Sequence, residues 1–138
     1  MGAIAVPGKS RLEVTLVPIP QSVAIARVFV RHQLISLRHA DLIENAGQIV
    51  SELVTNAVRA TASDVPETRG SIRLFLGPHH GRPLLEVWDS SPEHPVVREP
   101  DFVSESGRGL NIVRSLAAEF GWYDTSDKGG KTIWALLR

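Results

Sequence analysis

Residues 52–60 read ELVTNAVRA, and this segment decides the fold because it joins a helical pattern to chemically capable side chains. Apolar residues recur at helical spacing through it and its surroundings, at Leu42, Ala46, Ile49, Leu53, Ala57 and Ala60. The pattern predicts a helix that Asp41 caps and that ends near Ala60. Its apolar stripe should face a sheet.

Glu52 and Asn56 lie four residues apart, so a helix places their side chains one above the other. A carboxylate accepts a proton or orients a hydroxyl, and a neutral amide oxygen is a suitable ligand for magnesium. The alternative is an ordinary solvated face of an amphipathic helix. The pair alone leaves both interpretations open.

A second helix-forming segment, SGRGLNIVRSLAAEF, covers residues 106–120. Its apolar spacing predicts a helix that begins at Gly107 and stops at Gly121. Gly107 and Gly109 weaken a helix, yet they allow a close approach to its unpaired first amides, which suit an anion. Arg108 is available for phosphate. The alternative is that the two glycines only shape a turn.

The remaining pattern predicts a strand at 11–17, a helix capped by Ser22 that ends near residue 38, and further strands at 72–76, 84–88, 122–123 and 132–137. The segment GPHHGRP should join two of these strands as a hairpin loop. Strands and helices that do not alternate strictly indicate an α+β fold. We expect a two-layer sandwich with helices on one face of a mixed, mostly antiparallel sheet.

Composition narrows the class of protein. The 138 residues suit a single domain, 1–138, in which residues 1–10 are expected to form a flexible tail. The net charge of zero argues against a nucleic-acid binder. No apolar run is long enough for a membrane span, and the absence of cysteine fits a cytoplasmic location.

Two further features carry possible chemistry. Asp89 ends a predicted strand, where its carboxylate could accept a hydrogen bond from an exocyclic amine or simply begin a turn. The polar, proline-rich stretch 90–106 exceeds the usual length of a connection, as lids do. The segment GGKT, 129–132, then turns into the last strand.

The three tryptophans fall in or beside strands and are expected in the core.

Taken in order, the segments ELVTNAVRA, VWDSSP, GRGLNIV and GGKTIWALL resemble the ATP-binding superfamily shared by type II topoisomerases, heat-shock chaperone ATPases, mismatch-repair ATPases and sensor histidine kinases. Within it, the chain is most similar to bacterial anti-sigma-factor serine kinases. The resemblance covers about residues 12–137. It implies the Bergerat-type ATP-binding fold, with ATP and Mg²⁺ as ligands.

The resemblance also implies roles for individual residues. Asn56 would hold the magnesium ion, Glu52 would act as the base for a serine hydroxyl, and Asp89 would bind the adenine amine. Thr132 would lie near the adenine. The phosphates would be wrapped by Gly107, Arg108, Gly109 and Leu110.

The implied function is an ATP-binding anti-sigma regulator that phosphorylates a serine of an anti-anti-sigma partner and sequesters a sigma factor. The resemblance also leads us to expect a homodimer. The family's second motif has alternating glycines after its aspartate, but here Asp89 is followed by Ser90, Ser91, Pro92 and Glu93. The histidine that many relatives carry after the asparagine is also missing from NAVRA. These departures predict weaker or altered ATP handling rather than a different fold. The serines and the proline after Asp89 favour an alternative, a catalytically inactive module of the same fold that acts by partner switching without phosphotransfer.

Overall fold

The computed structural model describes residues 11–61, 70–91, 105–125 and 129–138, with the side chains of 105–109 excepted. The elements, in chain order, are β1 (Leu12–Leu16), α1 (Ser22–Ser36), a 3-10 turn (Ala40–Leu42), α2 (Ile43–Thr61), β2 (Ile72–His79), β3 (Arg82–Asp89), α3 (Glu105–Leu116), β4 (Glu119–Asp124) and β5 (Lys131–Leu136). None of the helices described reaches the length and apolarity that crossing a membrane requires. The predictions for residues 1–10 and for most of the loop after Asp89 lie outside the described residues.

The five strands form one sheet in the order β1-β2-β3-β5-β4. All four neighbouring pairs in the described part of the chain are antiparallel, which makes the sheet simpler than the mixed one expected. The helices cover one face, so the predicted two-layer α+β architecture is confirmed.

Helix α2 occupies the centre of the helical layer, where it packs against α1, α3, β2 and β3. Its apolar stripe is fully buried at Ala46, Ile49 and Leu53, as the spacing predicts. These side chains join Leu74 and Val87 of the sheet in the hydrophobic core. Burial of this stripe supplies the main force that holds the two layers together.

The hairpin between β2 and β3 is tighter than the predicted seven-residue loop. Its turn consists of His80 and Gly81, with φ of 51° and 82°, as a type I′ turn requires. His79 and Arg82 form the pair that closes the turn, and in the next pair Pro78 faces Pro83. Successive facing pairs alternate between hydrogen-bonded and non-hydrogen-bonded, so the missing N–H groups of the two prolines cost no bond inside the hairpin.

The two predicted helix caps are wrong. Ser22 lies within α1, and its buried hydroxyl donates to the carbonyl of Val17 at 2.6 Å, which ties the helix start to the end of β1. Asp41 lies inside the 3-10 turn before α2 rather than at a cap. Serine and aspartate near a helix start can bond to other backbone groups instead of capping, as the Ser22 hydroxyl does, and propensity alone does not distinguish these cases.

Helix α3 also differs from its prediction at both ends. It begins at Glu105, two residues before Gly107, and it ends at Leu116 rather than running to Gly121. The Ala118 N–H donates to the Leu136 carbonyl at 2.8 Å, so pairing with β5 takes over before another helical turn can form.

The tryptophans are not in the core. Trp88 and Trp134 are half-buried on the sheet face opposite the helices, and Trp122 is 40% exposed on the edge strand β4. Aromatic residues favour strands through packing across the sheet surface, and this preference does not select the buried face.

Gly121 faces Trp134 across β4 and β5, and a Cβ placed on it would lie 2.8 Å from the indole ring. We therefore expect Gly121→Ala to lower the free energy of unfolding by about 1–3 kcal/mol, as overpacking does. Urea denaturation measures the change. In a Trp134→Leu background the same replacement should be nearly neutral, and an equal cost in both backgrounds would show that the indole is not the cause.

Candidate functional site

Glu52 and Asn56 lie on the side of α2 that faces away from α1. The other side is marked by Gly47, next to the guanidinium of Arg27, and by Ser51, whose hydroxyl accepts a hydrogen bond from Arg27 Nη1 at 2.9 Å. At 3.6 residues per turn, Asn56 is about 180° around the helix from Gly47, and Glu52 about 140°. Since α2 lies between α1 and α3, both side chains are on the α3 side, and both are partly exposed.

The last turn of α2 and the end of β3 share one end of the molecule. The Gly70 N–H donates to the carbonyl of Thr61 at 3.4 Å, and a Cβ on Gly70 would collide with the Ser90 hydroxyl. Thr61 ends α2, and Ser90 directly follows Asp89. Asn56 is five residues from the end of α2, about 7.5 Å along its axis. The structure thus brings the amide of α2 and the carboxylate of β3 to the same end of the fold.

Asp89 is almost fully buried, and its carboxylate is paired. Oδ1 accepts a hydrogen bond from Lys131 Nζ at 2.9 Å and another from the Ser91 N–H at 3.0 Å. The side chains of Asp89 and Lys131 are only 1% and 4% exposed. Removing a charge from water is costly unless an opposite charge and hydrogen bonds replace the water. The Asp89 carboxylate and the Lys131 ammonium therefore stabilise each other in the interior.

Sequence reasoning did not identify Lys131. The signal that could have revealed it is the strand register: Asp89 ends β3, Lys131 begins β5, and the two face each other across the antiparallel pair. Opposite charges at facing positions interact directly. The register itself is visible only in the folded sheet.

Glycines on neighbouring segments allow the backbone at Asp89 to pack closely. Gly130 has a φ of 75°, and a Cβ on it would overlap the carbonyl oxygen of Asp89. A Cβ on Gly70 would meet the side-chain hydroxyl of Ser90 rather than backbone atoms. The glycines that the family pattern leads one to expect after Asp89 are absent from this sequence, which has Ser90, Ser91, Pro92 and Glu93 there.

The structure does not bring Thr132 to this site. Side chains alternate along β5, so Lys131 shares the helix-covered face with Ile133 and Ala135, whereas Thr132 is on the opposite face. Its hydroxyl lies 3.4 Å from that of Thr125. The resemblance placed Thr132 near the adenine, but the residue that faces Asp89 across the sheet is Lys131.

The start of α3 lies at the same end of the sheet as Asp89. Only two residues separate α3 from β4, so the strand runs back beside the helix, and its far end pairs Asp124 with Lys131. Gly107 belongs to the first turn of α3, where N–H groups have no partner within the helix.

The amides of Gly109 and Leu110 do not fit the predicted phosphate contact. Because α3 begins at Glu105, these N–H groups lie beyond the first turn and bond to carbonyls four residues earlier. The Leu110 side chain is buried in the core. The side chain of Arg108 lies outside the described residues.

Two surface grooves in the described part of the chain lie elsewhere. One is lined by residues of β1 and α1, including Leu12 and Val28, and the other by residues of the outer sheet face, including Glu86 and Trp134. Neither contains Glu52, Asn56 or Asp89.

Comparison with known proteins supports a nucleotide site. The family model described as histidine kinase-, DNA gyrase B- and HSP90-like ATPase matches residues 42–138. The chain belongs to this family. The match spans α2 to β5 and thus includes every predicted site residue. A search of curated proteins finds no match to the chain.

The residues present suit the ligands that an ATPase domain of this family implies, ATP and usually Mg²⁺. A buried carboxylate is an acceptor for an amine, an amide oxygen is a hard ligand for Mg²⁺, and unpaired helix amides suit phosphate. Asp89, Asn56 and the first turn of α3 supply these groups from three elements at one end of the fold.

Gly130 and Gly129 form a matched pair for testing the close packing at Asp89. Both have positive φ, at 75° and 73°, but a Cβ on Gly129 meets nothing within 4 Å. Gly129→Ala should cost about 1–2 kcal/mol, the penalty of the left-handed conformation alone. Gly130→Ala should cost roughly 1–3 kcal/mol more, because it also overpacks the Asp89 backbone. Thermal unfolding compares them, and equal losses would contradict the packing argument.

Proposed function

We propose that this chain binds Mg-ATP and phosphorylates a serine of an anti-anti-sigma partner, and that it also sequesters a sigma factor. Membership of the ATPase family supports nucleotide binding, and the order of the four sequence motifs supports the narrower role. The observation that carries the proposal is the position of Glu52 and Asn56: one turn apart, on the α3 side of α2, at the end of the fold that holds Asp89. A cytoplasmic location and a homodimer are part of the same proposal.

Each side chain has a defined task in this proposal. The Asp89 carboxylate accepts a hydrogen bond from the adenine 6-amino group. The first turn of α3, with Gly107 and Arg108, contacts the phosphates. The Asn56 amide oxygen holds Mg²⁺, which when bound neutralises phosphate charge. Phosphoryl transfer needs mainly such positioning and charge neutralisation.

Glu52 completes the transfer as the base. The serine oxygen of the partner bonds to the γ-phosphorus, the bond from that phosphorus to the β–γ bridging oxygen breaks, and ADP leaves. The serine proton passes to the Glu52 carboxylate. Its place on a rigid helix, next to the buried Leu53, fixes the direction from which the hydroxyl approaches.

Glu52→Ala should abolish phosphotransfer while ATP binding remains. Loss of a general base typically slows a reaction about 10²–10⁴-fold, and Glu52 has no assigned contact with the nucleotide. Transfer of radiolabel from ATP to purified anti-anti-sigma candidates measures the rate, and calorimetric titration measures ATP affinity.

The matched control is Glu44→Ala, which removes an exposed carboxylate from the first turn of the same helix. It should leave both measurements near those of the wild type. Wild-type transfer by the Glu52→Ala variant would show that another group acts as the base.

Asn56→Ala should remove the magnesium-dependent part of ATP affinity, because the amide oxygen is the proposed ligand. Titrations with ATP in Mg²⁺ and in EDTA should then agree for the variant, while the wild type binds more tightly in Mg²⁺. Asn45→Ala, at an exposed position on the same helix, serves as the control. A variant that keeps the full magnesium effect would refute the assignment.

The alternative is a module of the same fold that acts by protein contact without phosphotransfer. The serines and the proline after Asp89, in place of the family's glycines, favour it. Calorimetric titration of the wild type with ATP and Mg²⁺ separates the two, because an inactive module that has lost nucleotide binding gives no heat of binding. A chain that binds ATP but transfers no label to any partner also supports the alternative.

A further inference from the structure

We propose that Lys131 is a positioning residue for purine recognition: it holds Asp89 as an ionised, fixed acceptor, so that the site selects a 6-amino purine over a 6-oxo purine. This inference rests on the proposed function, in which Asp89 receives the adenine amine. It adds a residue that neither the sequence motifs nor the family description assigns.

The contact between the two side chains is direct and buried. Lys131 Nζ lies 2.9 Å from Asp89 Oδ1, with the side chains 4% and 1% exposed. The same oxygen accepts the Ser91 N–H. Two donors on one oxygen, from β5 and from the backbone after β3, fix both the position and the rotation of the carboxylate.

The charge state of Asp89 decides which purine it accepts. An ionised carboxylate only accepts hydrogen bonds, so it matches the N–H donors of a 6-amino group and repels a 6-oxo oxygen. A protonated carboxyl can donate to that oxygen as well. Burial alone favours the protonated form, whereas an adjacent ammonium favours the ionised one. Lys131 therefore acts on the purine through Asp89 and need not contact the nucleotide.

A second ion pair, between Arg11 and Glu86, differs from the Asp89–Lys131 pair in that its cation is exposed to water. Arg11 Nη2 lies 3.0 Å from Glu86 Oε1 on the other sheet face, but the Arg11 side chain is 53% exposed. Water can replace the exposed guanidinium of Arg11, so the loss of this pair should change the stability little. Arg11→Met is thus a matched control for Lys131→Met: both replacements remove one cation from an ion pair with a β3 carboxylate.

The test measures the dissociation constants of Mg-ATP and Mg-inosine triphosphate, which differ at the 6-position, for the full chain. The wild type should prefer ATP. Lys131→Met should reduce the ATP/inosine triphosphate preference roughly ten- to hundredfold, the range that a hydrogen bond to a charged group supplies. Arg11→Met should leave the preference unchanged. A purely structural role would weaken both nucleotides equally and would not move their ratio.

Two further variants keep the test decisive if Lys131→Met, which removes the ammonium beside a buried carboxylate, does not fold. Lys131→Arg retains the cation and should restore most of the preference. The double variant Asp89→Asn/Lys131→Met removes both charges, and its amide can either accept or donate, so it should discriminate poorly. Circular dichroism establishes that each variant is folded.

A preference that stays at the wild-type value in Lys131→Met would overturn the role of Lys131 and leave the proposed function standing. A wild-type preference in the double variant would overturn the assignment of Asp89 to the adenine amine, and with it the role of Lys131. A wild type that binds neither nucleotide would overturn both. A wild type that binds both equally would overturn the assignment of Asp89 to the adenine amine, and with it the role of Lys131.

Discussion

Helix α2 is buried against the sheet and flanked by α1 and α3, so only one strip of its surface can carry polar side chains. Glu52 and Asn56 occupy the α3 side of that strip, next to the fully buried Leu53 and Ala57. A helix held on three sides has little freedom to rotate or slide, because any shift would open cavities in a close-packed core. The packing that stabilises the fold therefore also fixes where the carboxylate and the amide stand.

Strands β3 and β5 place a buried ion pair at the same end of the molecule. Asp89 and Lys131 bring two charges into the interior, where each is tolerable only because the other is present. Gly130 lets the two strands approach at this point. The site thus combines a partly exposed pair on a helix with a buried ion pair on the sheet.

Local periodicity was sufficient to predict α2, its apolar stripe and the layered α+β class, because these follow from side chains a few residues apart. Predictions from local periodicity were wrong where contacts with another segment of the chain determined the local structure. Gly121 looked like a helix stop, but pairing with β5 placed it opposite Trp134 in a strand. Ser22 looked like a cap, but its hydroxyl bonds to Val17. The tryptophans were expected inside, and the open sheet face accommodates Trp88 and Trp134.

The sequence by itself determined the spacing of Glu52 and Asn56, since the helical turn sets that relation without help from the rest of the chain. Only the tertiary structure decided which residue stands beside Asp89. Lys131 and Thr132 are neighbours in sequence, yet a strand directs them to opposite faces, and a one-residue change of register would exchange them. That register joins residues 42 positions apart, through a core and a sheet that no local pattern encodes.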